Sequence, residues 1–219
     1  MSLQHKDNDV LKPLFFDYGV DCDKQYNARA SVVDYENEAK KYEQGSVQAR
    51  VENVAVFDLQ YGYGVDERLD IFPLPFEKSP APVFVFIHGG YWRAQSKESA
   101  CFMASALKEQ GIALCTIEYT LMPETSLSEI VREVRAAIAW LYKHGTTYGL
   151  DTERIFVGGS SAGGHLASML AAEGWQARYD LPENVIKGVL SISGLYEIRT
   201  LCYTHINDWL RLNPDYTES

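Results

Sequence analysis

From residue 54 onward, short apolar runs alternate with amphipathic stretches. Phe57, Leu59 and Tyr61 alternate with Asp58 and Gln60, and beyond Gly62 and Gly64 the residues Leu69 and Ile71 alternate with Arg68 and Asp70. A period of two on either side of glycines predicts a half-exposed β-hairpin. The later runs, 83–87, 112–117, 155–157 and 189–192, are continuous rather than alternating. Strands covered on both faces read that way, as in a parallel sheet. Between them lie helical patterns. Residues 96–110 carry Phe102, Ala106 and Leu107 on one side and stop at Gly111. A second helix opens at Ser126 with Glu129 three residues on, a capping-box spacing, and places Ile130, Val134, Ala137, Ile138 and Leu141 at helical intervals. A third runs from Ala162 to about Glu173, before Gly174. The order is hairpin, strand, helix, strand, helix, strand, helix, strand. It implies an α/β fold, a mainly parallel sheet with helices on both faces. Residues 1–50 are charge-rich, and a helix over 34–48 would have little apolar face. They read as a polar N-terminal arm ahead of a core at 51–219.

Composition narrows the partners. With 46% hydrophobic and 23% charged residues in 219, the chain has the makeup of a globular protein that can bury a real core. The net charge of −10, with no dense Lys/Arg run, argues against nucleic acid and anionic membrane surfaces and toward small molecules. Cys22, Cys101, Cys115 and Cys202 are far apart and form no zinc-type spacing, so they read as free thiols of a reducing compartment, with no metal and no cofactor implied. The first residues, MSLQHKDNDV, are too polar for a signal peptide, and there is no apolar run of about 18 residues; a cytoplasmic location is the expectation.

Two glycine-rich turns carry candidate chemistry. The segment Gly158-Gly159-Ser160-Ser161-Ala162-Gly163-Gly164-His165 follows one strand and opens a helix, and it contains G-x-S-x-G centred on Ser161. In a nucleophile elbow the serine sits at a sharp strand-to-helix bend, so its neighbours must be small, and the helix N-terminus favours a developing oxyanion. A phosphate loop fits worse: Ser160 stands where a dinucleotide fingerprint needs glycine, and no Walker lysine follows. A tight turn with an incidental serine is the plain alternative. The second turn, His88-Gly89-Gly90-Tyr91-Trp92, directly follows the run 83–87. A turn there would pair its N–H groups with that of Ala162 around a substrate carbonyl, and Gly90 and Tyr91 are the expected donors. His88 and Gly89 are expected to support the loop. Trp92, Ser160 and Tyr196 are the expected pocket residues, with core packing as the alternative for Trp92.

HGGYW followed about 70 residues later by GGSSAGGH resembles the α/β-hydrolase kynurenine formamidases (arylformamidases) and their esterase relatives. Gln25-Tyr26-Asn27-Ala28-Arg29, Tyr61-Gly62 and Ser193-Gly194-Leu195-Tyr196-Glu197 add to the resemblance, which covers the chain from about Gln25. It implies a serine hydrolase of carboxylic esters or aryl formamides such as N-formylkynurenine, working through an acyl-enzyme on Ser161. A non-catalytic binding protein with a degenerate hydrolase pocket is the alternative, and homo-oligomerisation is compatible with either. Such enzymes need an acid and a histidine after the nucleophile. In the family these follow two further strands, and no segment past Ile192 resembles them. Downstream of Ser161 only His165 and His205 remain as histidines, and Glu197, just after the last strand, precedes His205 in the correct order. The expectation is a C-terminally shortened relative without a complete triad and with the last two strands absent. It would have an open sheet edge and a bare core face.

Overall fold

The computed structural model describes residues 21–213. In chain order the elements are α1 (Cys22–Tyr26), α2 (Tyr35–Glu52), β1 (Val56–Gln60), β2 (Arg68–Phe72), β3 (Ala81–Ile87), α3 (Ala104–Glu109), β4 (Ala113–Ile117), α4 (Leu127–His144), β5 (Leu150–Ser160), α5 (Ala162–Leu170), β6 (Ile186–Ile192), α6 (Ile198–Leu201) and α7 (Asn207–Leu210). Six strands form one sheet in the order β1-β2-β4-β3-β5-β6. The β1–β2 and β2–β4 pairs are antiparallel; β4–β3, β3–β5 and β5–β6 are parallel. The chain divides into two compact units: Glu36–Leu195, which holds the whole sheet, and a second drawn from Met1–Tyr35 and Tyr196–Ser219. Part of the expected arm, residues 1–20, lies outside the described residues.

Alternation along β3 sets the two layers. Phe84 and Phe86 point to one face, where Phe86 joins Phe72, Leu114, Ala49 of α2, Ala100 and Ala104 of α3 in one apolar cluster. Val83, Val85 and Ile87 point to the other face and are fully buried on the side where α4 and α5 pack. The α4 helix follows the sequence pattern closely. Ser126 caps it by accepting the Glu129 N–H at 3.2 Å, Lys143 and His144 sit in its last turn, and Ile130, Val134, Ala137, Ile138 and Leu141 are buried. The α2 helix is polar around most of its circumference and buries Ser46 and Ala49.

Four expectations change. The hairpin is not evenly half-exposed: β1 is, but β2 is buried because β4 flanks its other edge. Asp70 on β2 is consequently sealed, and it is satisfied by Lys97 Nζ at 2.9 Å, Arg50 Nη1 at 2.6 Å and the Asp58 N–H at 2.8 Å. The helix expected over 96–110 is split into a 3-10 turn at Lys97–Ala100 and α3, since Cys101 leaves helical backbone at φ −100°, ψ 8°. The helix after Ser161 ends at Leu170, short of 173. Finally, the run 189–192 is not covered on both faces. β6 is the last strand of the sheet among the described residues, and Val189, Leu190 and Ile192 are exposed, beside an exposed Phe156 on β5.

Candidate active site

Ser161 stands between the last residue of β5 and the first of α5, at φ 57°, ψ −119°. A non-glycine residue reaches that region only when its surroundings impose it. Two hydrogen bonds do so: its N–H donates to Ile192 O at 2.8 Å and its carbonyl accepts from the His165 N–H at 3.0 Å. The side chain is half-buried rather than enclosed. Ala162 opens the helix, so its N–H lies among the leading amides that have no partner within a helix.

The His88-Gly89-Gly90 turn lies directly against this bend. A Cβ on Gly89 would sit 2.7 Å from Ser160 O and 3.4 Å from Ser161 Cβ, so the two turns pack at van der Waals distance. Beyond Gly89 the backbone is unusual: Gly90 has φ 94°, and Tyr91, Trp92 and Gln95 also have positive φ at 52°, 56° and 68°. The turn closes with Arg93 N–H to Gly90 O at 3.1 Å and is tied down by Met122 N–H to Trp92 O at 2.7 Å. Gln95 Oε1 accepts the Gly89 N–H at 3.2 Å. The Gly90 N–H makes no hydrogen bond among the described residues. His88 is buried, with Nε2 2.8 Å from Glu118 Oε1.

Ser161, Ala162, Ser160, His88, Gly89, Gly90 and Tyr91 are therefore brought together in one unit. Trp92 is not on an open wall: it is fully buried, with its ring edge-on to His165 at 5.2 Å. Tyr196 is exposed and belongs to the other unit. Gln95, Glu118 and Tyr119 are site neighbours that sequence patterns did not single out.

No side chain among the described residues hydrogen-bonds the Ser161 hydroxyl. His165, one turn along α5, is buried with Nδ1 unpartnered, and burial holds its pKa down to about 4. It is a neutral packing ring. Glu197 and His205 do not pair with each other. Arg199 takes both carboxylate oxygens of Glu197 at 2.9 and 2.8 Å, whereas His205 Nδ1 meets Asp23 Oδ1 at 2.8 Å, on an exposed surface. Among the described residues there is no cluster able to hold a metal ion, and no helix is long and apolar enough to cross a membrane.

The buried ring of His165 has a measurable consequence. An unfolded chain protonates it near 6.5, but the folded one only near 4, so its contribution is intact above about 6.5 and is lost as pH falls toward 4. The expected loss across that window is about 3 kcal/mol. Urea titrations at several pH values should show it in the native chain and show a shallower acid slope in His165→Gln. Equal slopes would remove the ring from the account.

A strand-to-helix bend bearing a half-buried serine, set beside a His-Gly-Gly turn at the C-terminal ends of parallel strands, defines an α/β-hydrolase. The chain belongs to the BD-FAE family, whose model matches residues 69–205. It is 30% identical over 175 residues to a kynurenine formamidase of Danio rerio, covering 78% of this chain and 56% of that protein. It is 34% identical over 120 residues to esterase LipC of Mycobacterium tuberculosis, covering 53% of this chain and 30% of that one. A crystal structure from Silicibacter sp., carrying a provisional thioesterase name, superposes with a TM-score of 0.75 at 29% identity, over 90% of this chain and 72% of that one. The chain thus spans about half the length of the kynurenine formamidases it matches.

Proposed function

We propose that the protein is a serine hydrolase of carboxylic esters or aryl formamides, with Ser161 as nucleophile. The observation that carries the reading is the strained Ser161 bend packed against the Gly89–Gly90 turn. The hydroxyl oxygen would bond to the substrate carbonyl carbon, its proton passing by way of solvent to the departing alcohol or arylamine. The N–H groups of Gly90, Tyr91 and Ala162 would receive the oxyanion, the alcohol or arylamine would leave, and water would release the acyl group. The relatives named as formamidase and esterases support the same chemistry. Since no base hydrogen-bonds Ser161 among the described residues, turnover by this chain is expected to be weak. It should stand at roughly the 10³- to 10⁴-fold over water that oxyanion donors and binding supply without a working triad.

A fluorophosphonate reagent tests the assignment directly. Its expected product is a single mass increment on the peptide carrying Ser161, together with slow hydrolysis of an activated short-chain ester and of N-formylkynurenine. The same lack of a base favours a second reading, a binding protein with a degenerate hydrolase pocket. An inert Ser161 combined with saturable binding of an aryl formamide would decide for it.

A further inference from the structure

His88 lies between two acceptors. Its Nε2 is 2.8 Å from Glu118 Oε1 and its Nδ1 is 3.0 Å from Gly89 O. A carboxylate and a peptide carbonyl both accept, so a neutral imidazole, which has one N–H, leaves one contact as two facing lone pairs. With Glu118 ionised, both contacts are satisfied only when the ring carries two protons. Glu118 is itself anchored, Oε1 by the Tyr119 N–H at 3.2 Å and Oε2 by the Lys97 N–H at 3.1 Å. The ring of Tyr119 stacks on His88 at 4.2 Å and 7°, an arrangement that suits a cation over an aromatic face. Burial pushes the Tyr119 phenol pKa well up, so it stays a donor, and its single O–H is shared between His88 O at 3.1 Å and Gly89 O at 3.3 Å.

These contacts converge on one peptide group. In a trans peptide the C=O and N–H point in opposite directions. Clamping Gly89 O from the His88–Tyr119 side therefore turns the Gly90 N–H to the opposite side, and that amide is the one left without a partner. We propose that Glu118, His88 as an imidazolium, and Tyr119 are positioning residues that lock the Gly89–Gly90 peptide with its N–H directed away from them, ready to meet an oxyanion. The oxyanion role rests on the function proposed above; the lock itself does not. A peptide beside a φ 94° glycine can otherwise flip, presenting a carbonyl where a donor is needed.

The test uses the whole chain, labelled with nitrogen-15 at neutral pH. His88 should show two slowly exchanging ring N–H protons, and Glu118→Gln should lose one of them. Tyr119→Phe keeps the stacked ring and removes the donor. The Gly90 and Tyr91 amides of that variant should exchange at least about tenfold faster, and activated-ester kcat should fall about 10²-fold with KM little changed. A merely structural role would lower the melting temperature without separating kcat from KM. A single ring N–H on His88 in the unaltered chain, or unchanged amide exchange in Tyr119→Phe, would overturn the lock. If Ser161→Ala hydrolyses the ester as fast as the unaltered chain, the nucleophile assignment fails, while the ring protons and amide exchange still decide the lock.

Discussion

Gly163→Ala is expected to unfold the sheet unit well below the melting temperature of the unaltered chain. A Cβ at this position would lie 2.6 Å from His88 O and closer still to Ile87 O. Both obstacles are backbone, so no side chain can swing aside, and α5 would have to lift away from the end of β3. Overpacking of this kind costs about 3 kcal/mol, or roughly 6–12 °C in a domain of this size. The damage would also reach the chemistry, since the lifted helix carries Ser161 and the displaced carbonyls belong to the turn that precedes Gly90. Loss of phosphonate labelling should therefore accompany the thermal shift. Gly188→Ala is the matched control: its new methyl would meet Phe156 Cδ1 at 3.3 Å, a ring at the exposed sheet edge that has room to move. Differential scanning of the two variants separates the cases. Equal melting temperatures would mean that the close approach of α5 to β3 is not a constraint.

The glycine requirement explains why so much of the site was legible from sequence. Ser161 with Gly159, Ala162 and Gly163, and the pair Gly89-Gly90, are local signatures. Each states in a few consecutive residues that backbone must come close to backbone. The α4 helix was legible for the same reason, because Ser126 and the spacing from Ile130 to Leu141 encode a cap and a stripe without reference to the rest of the chain. What escaped depends on neighbours distant in sequence. The burial of β2 follows from β4 arriving on its far edge, and the exposure of Val189 and Leu190 follows from β6 having no further strand beside it among the described residues, although an apolar run reads identically in an edge and a central strand. Trp92 looked as suited to a pocket wall as to a core, and only packing against His165 settles its place. The partnership of His88 with Glu118 spans 30 residues and joins two strand ends, so no periodicity could announce it.

Ser161→Gly is expected to abolish phosphonate labelling and at the same time make the protein more stable. The loss follows from the missing hydroxyl: Ser160 also carries one, but it belongs to the end of β5 rather than to the bend that opens α5. The gain follows from the backbone. At φ 57°, ψ −119° a serine is held in a region that costs of the order of 1–3 kcal/mol, which glycine enters with little penalty. Against this stands the extra freedom of glycine in the unfolded chain, about 0.5–1 kcal/mol. The net expectation is about 1 kcal/mol of added stability, measurable as a higher urea midpoint at unchanged slope. Ser161→Ala supplies the comparison, since it removes the hydroxyl just as completely but keeps a Cβ in the strained position. It should lose labelling with a midpoint near that of the unaltered chain. A glycine variant no more stable than the alanine variant would mean that the bend stores no strain. The N–H bond to Ile192 O and the carbonyl bond from His165 would then be shaping a relaxed turn rather than forcing the serine outward.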